Sequence, residues 1–414
     1  MADFESAPRT LGLGEIRMYG GAYRLMPEED GSAGKVRISL STVLPPKQVI
    51  GEYGKDDNPT ISTYTVTDLR GGMGLWRYID FQKDGDRFWT AQNMNTLWPF
   101  CITLGPLTTS ISRPAGASNA AVNTIQILGN TKAFVFNTGM YTHDDTNWSA
   151  LIDTLPSDPR DSLVFNGRVL YFYYGANGYS HQSNLAAVAT DVATPNLYSG
   201  ALWDSKVYAF DRATGILYSS STGLGASWTT LATLPGFEDW ASNLADILTY
   251  DDASGESAVY CLTSRGPWLH DPVNTLWVPS RLTMPREPSG YNYRVGGTVY
   301  RGALYFHPKD GRRVYKLTMT GNALEVEDVS IGAPDGVPSA YVSAPVRMVA
   351  NNDLLFALLT DEAYGPTTGT IALLVYNGRG WHALYINTAG TGTVAGMNIL
   401  GSNSNIRLYF GDQN

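Results

Sequence analysis

Asn95-Thr-Leu-Trp-Pro-Phe-Cys-Ile-Thr-Leu-Gly-Pro106 sets Trp98 eight residues ahead of Pro106, and its lead-in returns as Asn274-Thr-Leu-Trp277, eight residues ahead of Pro285. The same cadence joins Trp148 to Pro156 and Trp228 to Pro235, and Trp381 continues the series. Successive tryptophans lie 50, 80, 49 and 104 residues apart, which reads as one, two, one and two units of a common repeat. A repeat of about 40 to 52 residues that holds several short strands is what a β-propeller blade needs. Each tryptophan is expected in an outer strand. The following proline belongs where the chain leaves for the next blade, since proline cannot donate to a central ladder.

A second marker counts the same unit. Apolar runs begin at Val169-Leu-Tyr-Phe, Val207-Tyr-Ala-Phe, Ala258-Val-Tyr-Cys, Ala303-Leu-Tyr-Phe, Leu354-Leu-Phe-Ala and Arg407-Leu-Tyr-Phe. Their aromatics Tyr171, Tyr208, Tyr260, Tyr305, Phe356 and Tyr409 recur every 37 to 53 residues. Polar turns follow several of them, as Asp211 to Gly215 and Lys309-Asp-Gly311, and mark hairpins. The two markers together predict an all-β propeller of seven blades over residues 61–414, with six or eight also accommodated. The terminal Ile406 to Phe410 has no hairpin partner after it and is expected to complete a blade begun by N-terminal strands. Asn184 to Val192 is the one stretch expected to form a short helical turn.

Residues 1–60 lack the cadence. They carry Gly12, Gly14, Gly20 and Gly21, the turn Pro27 to Gly31, one alternating strand at Lys35 to Leu40, and the breaker Pro45-Pro46. This stretch reads as an arm or small β-addition that gains order by pairing its strand edge, or Tyr19 and Tyr23, with a neighbouring subunit. Persistent period-two alternation begins at Ile61-Ser-Thr-Tyr-Thr-Val-Thr.

Composition narrows the function classes. The 414 residues are 43% hydrophobic and 16% charged, with 43 glycines, 25 tyrosines and 10 tryptophans, a profile of turn-dense β-proteins with a large core. The formal charge of −9 comes without a basic cluster, which argues against phosphate-driven or sequence-specific nucleic-acid binding. No apolar run approaches the length of a membrane helix, and Met1-Ala-Asp-Phe-Glu does not resemble a signal peptide. Folding in a cytoplasm, or departure from it by an unusual route, is therefore expected. Cys101 and Cys261 sit in strand-like apolar settings and read as buried thiols.

His143, His181, His270, His307 and His382 stand apart, and none has a His or Cys at metal-ligand spacing. Asp84-Gly-Asp86, Asp144-Asp145 and Asp251-Asp252 occupy polar gaps that read as turns, Asp84 and Asp86 being the place for a structural calcium ion were there one. No nucleophile elbow, phosphate loop or dinucleotide fingerprint is present. The expectation is no catalytic, cofactor or metal site. Ser221-Thr-Gly-Leu-Gly-Ala-Ser-Trp228 resembles the Asp-box hairpin of sialidase-like propellers, with Gly223 at the Asp position. That motif is structural, so it speaks for fold rather than chemistry.

Val375-Tyr-Asn-Gly-Arg-Gly-Trp381, the glycines Gly390 to Gly396, Arg407-Leu-Tyr-Phe-Gly-Asp412 and the lead Leu69-Arg-Gly-Gly-Met-Gly-Leu-Trp76 resemble β-propeller tail proteins of tailed bacteriophages. The resemblance implies a virion structural protein of the tail, a homo-oligomer within the particle in contact with other tail proteins. Tyr179, Tyr291 and Tyr293, near predicted loop ends, are the candidate contact aromatics beside Tyr19 and Tyr23. The alternative is a carbohydrate-binding or glycan-hydrolysing propeller.

Overall fold

The computed structural model describes residues 15–18, 21–28, 37–41, 71–73, 87–88, 90–92, 94–97, 103–104, 111–117, 122–173, 178–182, 184–185, 189–211, 213–235, 246–251, 257–263, 266–271, 276–279, 296–307, 314–320, 323–329, 344–360, 369–390, 396–400 and 407–410. The strands of the N-terminal part are Glu15–Met18, Gly21–Glu28, Arg37–Ser41, Gly72–Met73, Arg87–Phe88, Thr90–Gln92, Met94–Asn95 and Thr103–Leu104 (β1–β8). Six four-stranded antiparallel sheets follow. They are Val122–Leu128, Thr131–Phe136, Gly139–His143 and Asp153–Thr154 (β9–β12); Pro159–Phe165, Arg168–Tyr173, Tyr179–Gln182 and Thr190–Val192 (β13–β16); and Leu197–Trp203, Lys206–Asp211, Ile216–Ser220 and Trp228–Thr233 (β17–β20). Then come Asp246–Asp251, Ser257–Thr263, Gly266–Asp271 and Leu276–Pro279 (β21–β24); Gly296–Tyr300, Ala303–His307, Tyr315–Thr320 and Ala323–Asp328 (β25–β28); and Ala344–Ala350, Leu355–Thr360, Gly369–Tyr376 and Trp381–Gly390 (β29–β32). Met397–Leu400 and Arg407–Phe410 (β33, β34) form a two-stranded sheet.

Contacts group the chain into two compact units, one of Met1–Thr109, Ile331–Val342 and Ala372–Ile386, the other of Ser110–Ser330, Ser343–Ile371 and Asn387–Asn414. In the second unit the first strands of the sheets pack in turn, β9 on β13, β13 on β17, β17 on β21, β21 on β25 and β25 on β29. β33 packs on β29 on one side and on β9 on the other, so the first strands close a ring. The fold is a β-propeller. Six four-stranded blades stand where seven were expected, and the pair β33–β34 holds the remaining place on the ring. Two sequence expectations change with it. The terminal strand pairs with Met397–Leu400 before it, Tyr409 facing Asn398. Thr190–Val192 is the outer strand of its sheet and not a helical turn, since it pairs with Tyr179, Ser180 and His181.

The core lies between blades, which explains the second marker. In β14, Val169, Tyr171 and Tyr173 turn toward the preceding blade and meet Ala133, Val135, Met140 and Leu155. Leu170 and Phe172 turn the other way and meet Leu197, Val207 and Ala209. A strand buried on both faces has no polar side to alternate with, so it reads as an unbroken apolar run. The pattern repeats: Tyr208 and Phe210 pack on Ile247, Val259 and Cys261, and Leu248 and Leu262 pack on Leu304 and Phe306. All six marker aromatics lie in second strands, Tyr171 in β14, Tyr208 in β18, Tyr260 in β22, Tyr305 in β26, Phe356 in β30 and Tyr409 in β34. Two-residue turns join several first and second strands, with Asn166 and Gly167, Asp204 and Ser205, and Arg301 and Gly302 all at positive φ. That is the geometry of the type I′ turn, whose twist suits adjacent strands.

The tryptophan cadence also has a local cause. Before three of the outer strands a side-chain oxygen accepts loop N–H groups: Asp144 Oδ1 those of Thr146 and Asn147, Ser220 Oγ that of Gly223, and Asn377 Oδ1 those of Arg379 and Gly380. Trp228 and Trp381 then open β20 and β32, Trp277 lies in β24, and Trp148 forms a bridge with His143 just before β12. Pro156 and Pro235 follow their outer strands as expected, whereas Trp98, Pro106 and Pro285 lie outside the described residues. Trp228 reaches back to the preceding blade, where its indole N–H donates to Tyr179 Oη at 2.7 Å and the rings meet edge to face.

The smaller unit begins with the sheet β3-β2-β1-β6, so the N-terminal segment is a three-strand meander paired through β1 to Thr90–Gln92, rather than one isolated strand. The contact boundary falls after Thr109, not near residue 60, and the ring begins at Val122. Ile61–Thr67 lies outside the described residues. The glycine lead explains itself at Gly72 (φ +75), where a Cβ would stand 2.6 Å from the backbone of Trp381, and at Gly380, where one would stand 1.9 Å from Gly71 O. In the same unit His382 is buried, with Nδ1 2.6 Å from Thr96 Oγ1 and Nε2 3.1 Å from the amide nitrogen of Asn377.

Trp228→Phe keeps most of the packing and removes only the N–H donor to Tyr179, so it should cost about 1 kcal/mol. Trp228→Ala should cost roughly 3–5 kcal/mol. Denaturant unfolding of both variants checks this, and equal losses would contradict a packing role for the ring. Gly380→Ala should destabilise more than Gly167→Ala. The latter meets nothing within 4 Å and bears only the backbone strain of φ +70, roughly 1–2 kcal/mol.

Candidate functional site: the hydrogen-bonded hub

The first strands share one irregularity. In β9, β13, β17 and β29 the pairing with the second strand skips a residue near the start, at Asn123, Arg160, Tyr198 and Val346. Such a bulge re-aims the residue beside it. The residues that follow are Thr124, Asp161, Ser199 and Arg347, and three of them meet.

Asp161 is 8% exposed and takes both terminal nitrogens of Arg347 on Oδ1 at 3.2 Å. Its Oδ2 accepts from Ser199 Oγ at 2.9 Å and from the Gly200 N–H at 3.3 Å. Ser199 Oγ accepts in turn from the Ile247 N–H at 3.2 Å. β13 and β29 are not neighbours, since β9 and β33 stand between them, so the ion pair reaches across the inside of the ring. A second chain of bonds covers the interval. Asn398 of β33 donates to Ile125 O at 2.9 Å and approaches Gln126 Oε1 at 3.5 Å, and Gln126 donates to Ser162 O at 2.6 Å. The two chains link β33, β9, β13, β17, β21 and β29. Chemically this hub holds charge in place. The Asp161 carboxylate is occupied by a guanidinium, a hydroxyl and a backbone amide, an arrangement that fixes strands to one another.

Asp145, His143, Tyr171 and Tyr173, away from the hub, are likewise hydrogen-bonded. Asp145 accepts from Lys132, Arg407 and Tyr409, and its carboxyl is held below the ordinary value chiefly by the hydrogen bond from Lys132. His143 is buried and accepts the Asp145 N–H on Nδ1, and burial lowers its pKa. Burial likewise lowers His181 and His270. Burial pushes the Tyr171 and Tyr173 hydroxyls up; Tyr171 donates to Met140 Sδ at 3.1 Å and Tyr173 to Ser180 Oγ at 2.5 Å. Among the described residues no three His, Cys, Asp or Glu side chains gather as metal ligands.

The candidate contact aromatics fare differently. Tyr179 is fully buried and bonded to Trp228, so it belongs to the core and presents no outer surface, because the outer-strand tryptophan of the next blade covers it. Tyr23 lies in β2, while Tyr19, Tyr291 and Tyr293 lie outside the described residues, as do Asp84, Asp86, Cys101 and Asp252. Cys261 is buried between blades, as expected. Asp161, Ser199, Gln126, Asn398 and Arg347 escaped the sequence reading because they are one or more blades apart. The available signal was a polar residue breaking the start of a first strand, as Asp161 does ahead of Leu163-Val-Phe165.

No family model matches the chain, and no curated protein matches it. Among solved structures, YCF48 from Cyanidioschyzon merolae is similar over 72% of this chain and 94% of its own, at 12% identity and a TM-score of 0.47. The extracellular domain of a proposed one-component system from B. thetaiotaomicron matches 72% of this chain and 38% of its own, at 12% identity and a TM-score of 0.49. Likenesses this distant say nothing of what this chain binds or does.

Arg347→Ala leaves the Asp161 carboxylate buried without its cation and should cost roughly 3–5 kcal/mol in unfolding free energy. Adding Asp161→Asn should recover part of that loss. Strictly additive losses in the double-mutant cycle would show that the pair does not hold the ring.

Proposed function

We propose that the protein is a structural component of a tailed-phage virion, a tail protein that serves as a rigid scaffold for other tail proteins. The observation that carries this reading is where the polar chemistry goes: Asp161, Arg347, Ser199 and Gln126 at the hub, and Asp145 at the join of β34 to the first blade, all bind strand to strand. A ring cross-linked this way holds its loops at fixed positions, which suits repeated contact with neighbours at little entropic cost. The resemblance of Val375 to Trp381 and of Arg407 to Asp412 to phage tail propellers supports the same assignment. The proposal includes self-association within the particle, no enzymatic activity, and the N-terminal strands as an element of assembly.

A glycan-binding or glycan-hydrolysing receptor protein is the competing reading. Mass spectrometry of purified particles, run beside a glycan array with the isolated protein, separates the two. The protein should appear as a stoichiometric particle component and leave the array blank. Its absence from particles would overturn the proposal, and turnover of a glycan that is abolished by replacing one Asp or Glu would establish the alternative.

A further inference from the structure

Beyond the static scaffold, the contacts around one carboxylate bear on how the ring opens. The hairpin β33–β34 is tied to the first blade by specific bonds among the described residues. Gly396 N–H donates to Val122 O at 2.9 Å, and Asn398 to Ile125 O at 2.9 Å, both on the side of β33. On the side of β34, Tyr409 stacks edge to face on Phe134 at 6.2 Å and packs beside Trp148. All the polar bonding of β34 to that blade found among the described residues converges on Asp145. Its Oδ2 lies 2.6 Å from Lys132 Nζ and 3.0 Å from Arg407, and its Oδ1 accepts from Tyr409 Oη at 2.9 Å.

The environment of this carboxylate is lopsided. Lys132 is 2% exposed and lies 5.8 Å from the centre of the Tyr409 ring, whereas Asp145 is 39% exposed and open to solvent. A buried ammonium whose anion among the described residues can be reached by water is held by a bond that solvent conditions can remove, and its loss leaves the cation stranded. Asp145 also stands at φ +77, in the left-handed region, so its backbone is held by what surrounds it.

We infer that Asp145 is a latch: it holds the C-terminal hairpin in the ring through Lys132, Arg407 and Tyr409, and neutralising it frees that hairpin as a unit while the other blades stay folded. The charged and titratable groups that face it are Lys132 on β10, His143 on β11, Asp144 beside it in the turn, and Arg407 and Tyr409 on β34. Acid is one way to open the latch. The Asp145 carboxyl is lowered in the folded ring, so its contribution is complete above the ordinary carboxylate value of about 4 and is lost as pH falls through the lowered value.

Hydrogen–deuterium exchange of the full-length protein tests this at pH 7, with rates corrected for intrinsic chemistry. Asp145→Asn tolerates positive φ and keeps the shape, so it removes the charge alone. It should speed exchange of the Met397–Leu400 and Arg407–Phe410 amides by about tenfold or more, with β14 and β18 amides unchanged. Asp145→Gly, which relieves the backbone, should do the same. Arg407→Gln and Tyr409→Phe each remove one bond and should give smaller increases in the same segments, which keeps the test sharp if the Asp145 variants fail to fold. In wild-type protein, hairpin exchange should rise ahead of that of the blades as pH is lowered stepwise below the ordinary carboxylate value of about 4. Hairpin rates unchanged in these variants, slower exchange in Asp145→Gly, or a uniform rise across all blades would overturn the latch.

Discussion

Ring closure is the constraint on which everything else in this fold rests. Each blade is a small sheet with two apolar faces, and neither face is covered unless a blade stands on each side. Tyr171 and Phe172 are adjacent in sequence and buried against opposite neighbours, so removing either neighbour exposes half of that strand's apolar surface. An open row would leave two such faces in water, at its first and last members. The chain avoids this by seating β33 between β29 and β9 and laying Tyr409 against Phe134 and Trp148.

The same constraint decides what was legible in the sequence. Second strands stand out because burial on both faces favours apolar residues through their middle, which makes Val169-Leu-Tyr-Phe and Ala303-Leu-Tyr-Phe nearly interchangeable. Outer-strand tryptophans stand out because Trp148, Trp228 and Trp381 each follow a loop whose backbone is tied by Asp144, Ser220 or Asn377, and Trp228 reaches back to Tyr179 of the preceding blade. Outer strands themselves leave almost no trace. Thr190 and Asp191 are exposed and polar, and a helical turn was the natural reading of that stretch. Tyr179 misled for a related reason: it sits beside a glycine-rich loop, yet Trp228 from 49 residues further on covers it.

The hub was illegible because its meaning is combinatorial. Asp161 and Arg347 are 186 residues apart, and neither belongs to a motif. Only the closed ring, with bulges in β13, β17 and β29 turning the next residue inward, makes them partners. Charges that could do acid–base work in another setting are here placed in strand-to-strand contacts, at the hub in Asp161 and at the closure in Asp145.

The most direct test of this account is equilibrium unfolding of a chain truncated after residue 395, which lacks only the hairpin that closes the ring and the residues beyond it. The first blade would then lose Tyr409 and the bonds to Val122 and Ile125, and the faces of β9 and β29 would stand open. The account predicts a transition that is broad and shifted to much lower denaturant, with the blades nearest the gap unfolding first. A truncated chain that unfolds as cooperatively as the full protein, and at the same denaturant concentration, would contradict it.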